Sequence, residues 1–361
     1  MSKRGLLLAF LVVGGAALAM RMLYEPADDV GVGPPQLALE GIDRLAAGFP
    51  RPEEAPLRMP EDHGAKPGQF AEYWLFGGRV TDGAGSVYGF HLAFYRLTVA
   101  EEPVERDSAW ATQNIYQARF SVAPVGASPH GEERLSRDAL GLAGASSGPT
   151  VWVEDWRFTT FEDGAVLLLE SGAADAGLKL RLGRPGEDPL PVDSELYRGY
   201  WWPGWQVEGV LEIGGESVPV QGDAMLDRLW GQALPVGRGQ LALARAWLDL
   251  GEKGVLRCAQ LRRRAGGGTP LTECISRPSS LADDVVLAPT NDGWRELGAA
   301  RYPLGWTLDA PSLETRRLVP LGDPRPQADG GWFGLVTVGE EPVADDASDW
   351  GMLELSNFPL R

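Results

Sequence analysis

The feature that most constrains this chain is a rhythm of short runs alternating apolar and polar residues, with glycine turns recurring between them along nearly its whole length. Such runs occupy 72–80, 86–98, 115–123, 151–160, 165–171 and 178–182. A second series covers 206–213, 216–220, 240–250, 254–264, 272–276, 306–310, 313–320, 331–338 and 351–355. Turn pairs such as Asp82-Gly83, Asp163-Gly164 and Gly214-Gly215 stand between them. Apolar residues at helical spacing are scarce, whereas glycine (47), proline (28) and tryptophan (13) are abundant. The pattern predicts an all-β protein.

At 361 residues the chain exceeds what one ordinary core supports. It also contains an internal similarity. An offset of 131 residues lays WLFGGRVTDGAGSVYGFHLA (74–93) on WQVEGVLEIGGESVPVQGDA (205–224), matching Trp74 with Trp205, Gly78 with Gly209 and Ser86-Val87 with Ser217-Val218. Each copy reads as a Trp-led strand, a glycine turn and a second strand. Two small antiparallel β-barrels in tandem are therefore predicted, at 67–190 and 191–361, with the boundary in the Pro-rich stretch GRPGEDPLPVDSE (183–195). Such barrels close their own edges and can hold one small ligand.

Residues 1–22 carry Lys3 and Arg4 ahead of an apolar run that ends in Ala17-Leu18-Ala19. This reads as an export signal. Cleavage would give a periplasmic or secreted protein; retention would leave a short N-terminal membrane anchor. Residues 23–66, rich in Pro, Ala and acids, read as a linker with one short helix at 37–47. Cys258 and Cys274 lie symmetrically about Gly266 in the turn AGGG, so a hairpin would place them opposite each other. In an oxidising compartment a structural disulfide is the favoured reading; a register slip of one residue would leave two buried free thiols.

With 50 acidic against 33 basic residues the net charge is −17, which argues against nucleic acid as a partner. His63, His91 and His130 are far apart and lack ligand spacing, so neither a metal nor a cofactor is expected. No Gly-x-Ser-x-Gly elbow is present, and the glycines at 266–268 read as a hairpin turn rather than a phosphate loop. The stronger signal is aromatic density: YRGYWWPGW (197–205) and EYWLF (72–76) would form core or line an apolar pocket. Beside them stands GDAMLDRLWG (222–231), in which Asp227 could face an apolar interior, where desolvation raises a carboxyl pKa and makes it a proton donor. Arg228 points to the opposite face of a regular strand, so direct pairing of the two would need a bulge.

The layout resembles the carotenoid 1,2-hydratase and AttH family of double lipocalin-like proteins, which includes kievitone hydratase-like enzymes. The similarity runs from about Gln69 to the C-terminus through EYWLFGGRVTDGAGSVYGFHLAFYR (72–96), VWVEDWRF (151–158), GDAMLDRLWG, YPLGW (302–306) and GMLEL (351–355). Against the family signature Gly-x-x-Trp-x-Asp-His-Glu-Trp-Gly, Met225 replaces a tryptophan and Arg228-Leu229 replaces the His-Glu pair; Tyr73 replaces the first tryptophan of the opening motif. The resemblance and the aromatic segments together nominate Tyr73, Trp74, His91, Tyr95, Trp156, Trp202, Trp205, Arg228, Trp230 and Trp247 as ligand-lining residues. The resemblance implies an extracytoplasmic protein that binds an apolar lipid or isoprenoid-like ligand, with an ABC transporter permease as a further partner. The alternative is a hydratase or isomerase acting on an alkene, with Asp227 as the acid and Asp249, beside Trp247, as the second candidate. A purely structural β module is the third reading.

Overall fold

The computed structural model describes residues 45–100, 108, 110–146, 148–161, 164, 166–264, 268–298, 300–322, 324, 331–339 and 349–358. The N-terminal segment 1–22, nearly all of the predicted helix at 37–47 and the linker as far as residue 44 lie outside them.

The chain is all-β. Twelve strands form the first sheet: β1 (Ala71–Asp82), β2 (Val87–Thr98), β3 (Asn114–Pro124), β4 (His130–Arg137), β5 (Ala143–Ala145), β6 (Thr150–Val153), β7 (Trp156–Phe161), β8 (Val166–Gly172), β9 (Ala176–Gly183), β10 (Leu190–Asp193), β11 (Tyr197–Ile213) and β12 (Glu216–Gly231). Their order, β4-β3-β2-β1-β12-β11-β9-β8-β7-β6-β5, curls into a nearly closed barrel, with β10 added beside β11. The second sheet, a curled half-barrel, runs β15 (Leu271–Arg277), β14 (Val255–Arg263), β13 (Leu241–Asp249), β22 (Trp350–Ser356), β21 (Trp332–Gly339), β20 (Leu313–Pro320), β19 (Trp306–Ala310) and β16 (Val286–Pro289). A separate hairpin pairs β17 (Trp294–Leu297) with β18 (Ala300–Pro303).

This topology corrects the predicted boundary. Residues 197–231, assigned above to the second barrel, form the two longest strands of the first sheet, and the sheets change only after Gly231. The two similar segments are likewise not equivalent parts of two barrels. They form the neighbouring hairpins β1–β2 and β11–β12, joined through the β1–β12 ladder that sets Trp74 against Arg228 and Leu75 against Asp227. In the β11–β12 turn Gly214 and Gly215 have φ of +60° and +88°, and a two-residue hairpin turn of this kind requires positive φ at both positions.

The long strands escaped the alternation rule because they are buried on both faces. In β12 every residue from Ala224 to Gly231 is buried. Ala224, Leu226 and Trp230 belong to the cluster inside the barrel, whereas Met225 and Leu229 belong to a cluster shared with Trp247, Phe333, Leu335 and Met352 of the second sheet. With no water on either side, apolar residues occupy both faces, and the charged pair Asp227-Arg228 stands at consecutive positions rather than marking one face. The polar strand β4, at the edge of the sheet order, was missed for the opposite reason: none of HGEERLSR is buried and half of it is exposed.

The β14–β15 ladder pairs Cys258 directly with Cys274, and a disulfide joins them. The two cysteines are 16 residues apart in sequence. Closing a loop of that size removes unfolded-chain entropy worth about 3 kcal/mol. The double variant Cys258→Ala/Cys274→Ala is accordingly expected to lose about that much unfolding free energy in urea titrations, and reductant is expected to destabilise the wild type but not the variant.

Candidate ligand site between the sheets

Alternation along β12 separates two buried polar systems. Asp227 points toward the second sheet and accepts three hydrogen bonds: from the Tyr73 hydroxyl at 2.8 Å, the Trp247 indole N–H at 2.8 Å and Arg257 Nε at 2.7 Å. Arg257 continues to Glu273 at 3.0 Å, which also accepts the Tyr197 hydroxyl at 2.5 Å. On the other side, Arg245 lies 4.7 Å from the Tyr73 ring centroid and pairs with Glu354 at 2.8 Å. Burial, and then the Asp227 charge, raise the Tyr73 pKa, so its hydroxyl remains a donor. Asp227 thus serves as an acceptor whose oxygens are already engaged by an arginine, an indole and a phenol. That arrangement anchors the sheets; it does not present a proton to a ligand, as the sequence reading expected.

Arg228 points the opposite way, into the barrel. It pairs with Glu72, donates to the Gly64 carbonyl at 2.9 Å and to the Leu229 carbonyl at 2.6 Å, and lies 4.0 Å from the Trp74 ring and 5.1 Å from that of Trp230. Glu72 takes Arg96 as a second partner. Residues 60–64, read from sequence as linker, run into this interior. His63 is fully buried, forms a 2.5 Å hydrogen bond with the Tyr200 hydroxyl and stacks on Trp202, while its carbonyl accepts the Trp74 indole N–H at 2.7 Å. Trp205 packs edge-on against Trp202. Trp156 sits in the same core, donating to Gly172 and carrying Arg134 on its face. The nominated residues Trp74, Trp156, Trp202, Trp205, Arg228 and Trp230 therefore lie in the barrel interior.

His91 and Tyr95 face the second sheet with Tyr73. The His91 ring stacks on Phe333 at 4.2 Å, and Tyr95 lies 6.0 Å from Tyr73. Neither lines an opening described below.

The opening lies further along the same layer. A half-open cleft of about 140 Å³ is lined by Trp201, Met225, Trp247, Leu248, Val255, Trp350 and Met352, with Glu187, Asp223 and Asp249 among the remaining residues. A bulge between Pro203 and Trp205, with Gly204 at φ +85°, bends β11 at this point. Of the residues nominated from sequence, only Trp247 and Asp249 line this cleft. Burial, reinforced by Asp223 and Asp349, raises the Asp249 pKa. Trp201 is 1% exposed, and its indole N–H has no hydrogen-bond partner among the described residues. Trp201, Asp223, Met225, Trp350 and Met352 were not nominated; the signal that could have found two of them, Asp223 and Met225, is parity, because 223, 225 and 227 share one face of β12. Among the described residues no group of three His, Cys, Asp or Glu side chains is placed to hold a metal ion.

A family model described as AttH-like matches residues 50–356. The chain belongs to the AttH-like family. Among solved structures, it is similar to an AttH protein from Nitrosomonas europaea, with a TM-score of 0.71 and 22% identity over 87% of this chain and 99% of that one. It is also similar to kievitone hydratase from Nectria haematococca, with a TM-score of 0.59 and 14% identity over 85% of this chain and 98% of that one. CghA follows, with a TM-score of 0.50 and 15% identity over 88% of this chain and 97% of that one. No curated protein matches the sequence significantly. At these identities the structural likenesses establish the shared fold.

In this AttH-like chain the Asp227 system generates a stability prediction. Asp227→Leu leaves the buried Arg257 with Glu273 as its remaining carboxylate partner and is expected to cost about 3 kcal/mol in urea unfolding. Adding Arg257→Leu should restore most of that loss; equal losses in the single and double variants would show that the pair is not the anchor.

A second prediction concerns pH. Burial, reinforced chiefly by Arg228, lowers His63 from 6.5 to about 3, and burial, reinforced by Arg119 and Arg245, lowers His91 from 6.5 to about 3. The unfolded chain takes up these protons below its ordinary histidine pKa, whereas the folded chain does so only near 3. The stability from keeping the rings neutral is therefore complete above 6.5 and falls as pH drops through this window. His91→Phe should reduce the slope of unfolding free energy against pH within it by about 1.4 kcal/mol per pH unit; an unchanged slope would contradict the assignment.

Proposed function

We propose that this protein binds an apolar lipid or isoprenoid-like ligand in the cleft between its two sheets, outside the cytoplasm, and presents it to a membrane export permease. The observation that carries the reading is the cleft itself: three tryptophans and two methionines converge there beside the ion-paired layer that fixes the two sheets. A 150 Å³ apolar cavity accommodates benzene, so a cleft of about 140 Å³ suits a ring or branched end of a ligand whose remainder leaves by the open side. The basic and apolar segment at 1–22 and the disulfide both support an oxidising compartment.

One observation favours a second reading, alkene hydration. Asp249 combines a raised pKa with a place on the cleft wall next to Trp247. Its carboxyl would protonate the double bond, water would add to the resulting cation, and the proton lost by that water would restore the acid. The fold shared with kievitone hydratase is compatible with this but does not assign it.

A neutral fluorescent probe, N-phenyl-1-naphthylamine, tests the binding reading. Its emission is expected to rise with wild-type protein, to lose at least about 80% of that rise in Val255→Trp, which fills the cleft, and to persist in Trp156→Phe, which alters the barrel. Persistence in Val255→Trp would refute the cleft as the site.

A further inference from the structure

The cleft has a one-sided charge pattern that a site for neutral lipids would not need. Glu187, Asp223 and Asp249 line it, and no Lys, Arg or His is among the lining residues. The carboxylates have local partners of limited strength: Asp223 accepts the Gln206 amide at 2.6 Å, Asp249 accepts the Gly251 N–H at 3.0 Å, and Glu187 meets the partly exposed Arg277. The groups that act electrostatically on Asp249 are further carboxylates, Asp223 and Asp349, and together with burial they raise its pKa. Concentrated negative charge beside three tryptophans is the chemistry that recognises an organic cation: the ring faces attract it and the carboxylates neutralise it.

Trp201 supplies an independent observation. Its indole N–H is buried and has no partner among the described residues, although the residue lines the cleft. A buried donor without an acceptor is costly, and a ligand oxygen would remove that cost.

We infer that the cleft selects an alkylammonium head with a carbonyl oxygen a few bonds away, Asp249 and Asp223 facing the cation and Trp201 donating to the oxygen. A trimethylammonium group is close to a benzene ring in bulk, so it matches the cleft's volume, and an attached acyl chain can leave by the open side. The inference deepens the binding reading and rests on it.

Butyrylcholine and its neutral carbon isostere 3,3-dimethylbutyl butyrate separate the charge from the shape. Both are titrated by displacement of N-phenyl-1-naphthylamine. Butyrylcholine is expected to bind at least about tenfold more tightly than the isostere, with an advantage that shrinks at high salt. Asp249→Asn should remove most of that advantage while leaving isostere binding within about twofold, and Asp223→Asn provides the same test should the first variant fail to fold. Trp201→Phe should weaken butyrylcholine severalfold but not hexyltrimethylammonium, which has no carbonyl. Equal affinities of the two esters, or failure of butyrylcholine to displace a probe that does occupy the cleft, would overturn the inference while leaving the cleft reading intact. Probe binding that survives Val255→Trp would overturn both.

Discussion

The contact on which the arrangement depends is the buried pair of Asp227 and Arg257, because it is made between the two sheets rather than within one. Asp227 stands on β12 of the barrel, Arg257 and Trp247 on adjacent strands of the half-barrel, and Tyr73 on β1 closes the set. An ion pair buried this completely returns little net energy after desolvation, but an offset placement would leave one charge uncompensated and cost several kcal/mol. Its effect is therefore positional: the apolar contacts among Leu75, Leu229, Phe333, Leu335 and Met352 favour burial without direction, and the charged pair specifies how the sheets meet.

From that anchor the cleft follows by geometry. Residues 227, 225 and 223 succeed one another along one face of β12, from a fully buried carboxylate through a buried thioether to a carboxylate at the cleft. Each step advances the strand by about 7 Å, so the anchor, wall and mouth are successive positions on one face. The β11 bulge lies where the cleft begins, and the end of β13 brings Asp249 to the same place. Most of the cleft's side chains stand on strands, which fixes their positions more closely than loops would.

Sequence reasoning reached the fold class and the family, since short alternating runs and ordered motifs are properties of the chain itself. It misplaced the border between the sheets. The stretch 183–195 has the composition of a linker, yet the following hairpin returns to pair with β1, and pairing over such a separation leaves no local mark. The candidate site was legible only in part. Asp249 and Trp247 were found because an acid beside a tryptophan in a mostly apolar strand is conspicuous, while Trp201 was passed over in favour of Trp202 and Trp205 because all three stand in one aromatic run. Strand parity assigns Trp201 and Trp202 to opposite faces, but which face meets the second sheet depends on the sheet order.

The same parity gives meaning to the departures from the family signature. Arg228 and Leu229 replace its His-Glu pair, and consecutive positions on a strand serve different compartments: Arg228 enters the barrel, whereas Leu229 joins the layer between the sheets. In the barrel the imidazole is not simply lost. His63 brings one from the preceding segment into the aromatic group of Tyr200, Trp202 and Trp205, where the fixed charge of Arg228 and burial keep it neutral. The Arg228 guanidinium is held there by Glu72 and backbone carbonyls, beside an imidazole whose pKa burial and Arg228 lower to about 3. On the other face, Leu229 and Met225 add apolar contacts to a layer in which Asp227 and Arg257, and Arg245 and Glu354, are paired with one another, while Asp223 and Asp249 line the cleft. The substitutions thus place a guanidinium in the barrel and apolar side chains between the sheets, and they leave Asp223 and Asp249 among the carboxylates that line the cleft.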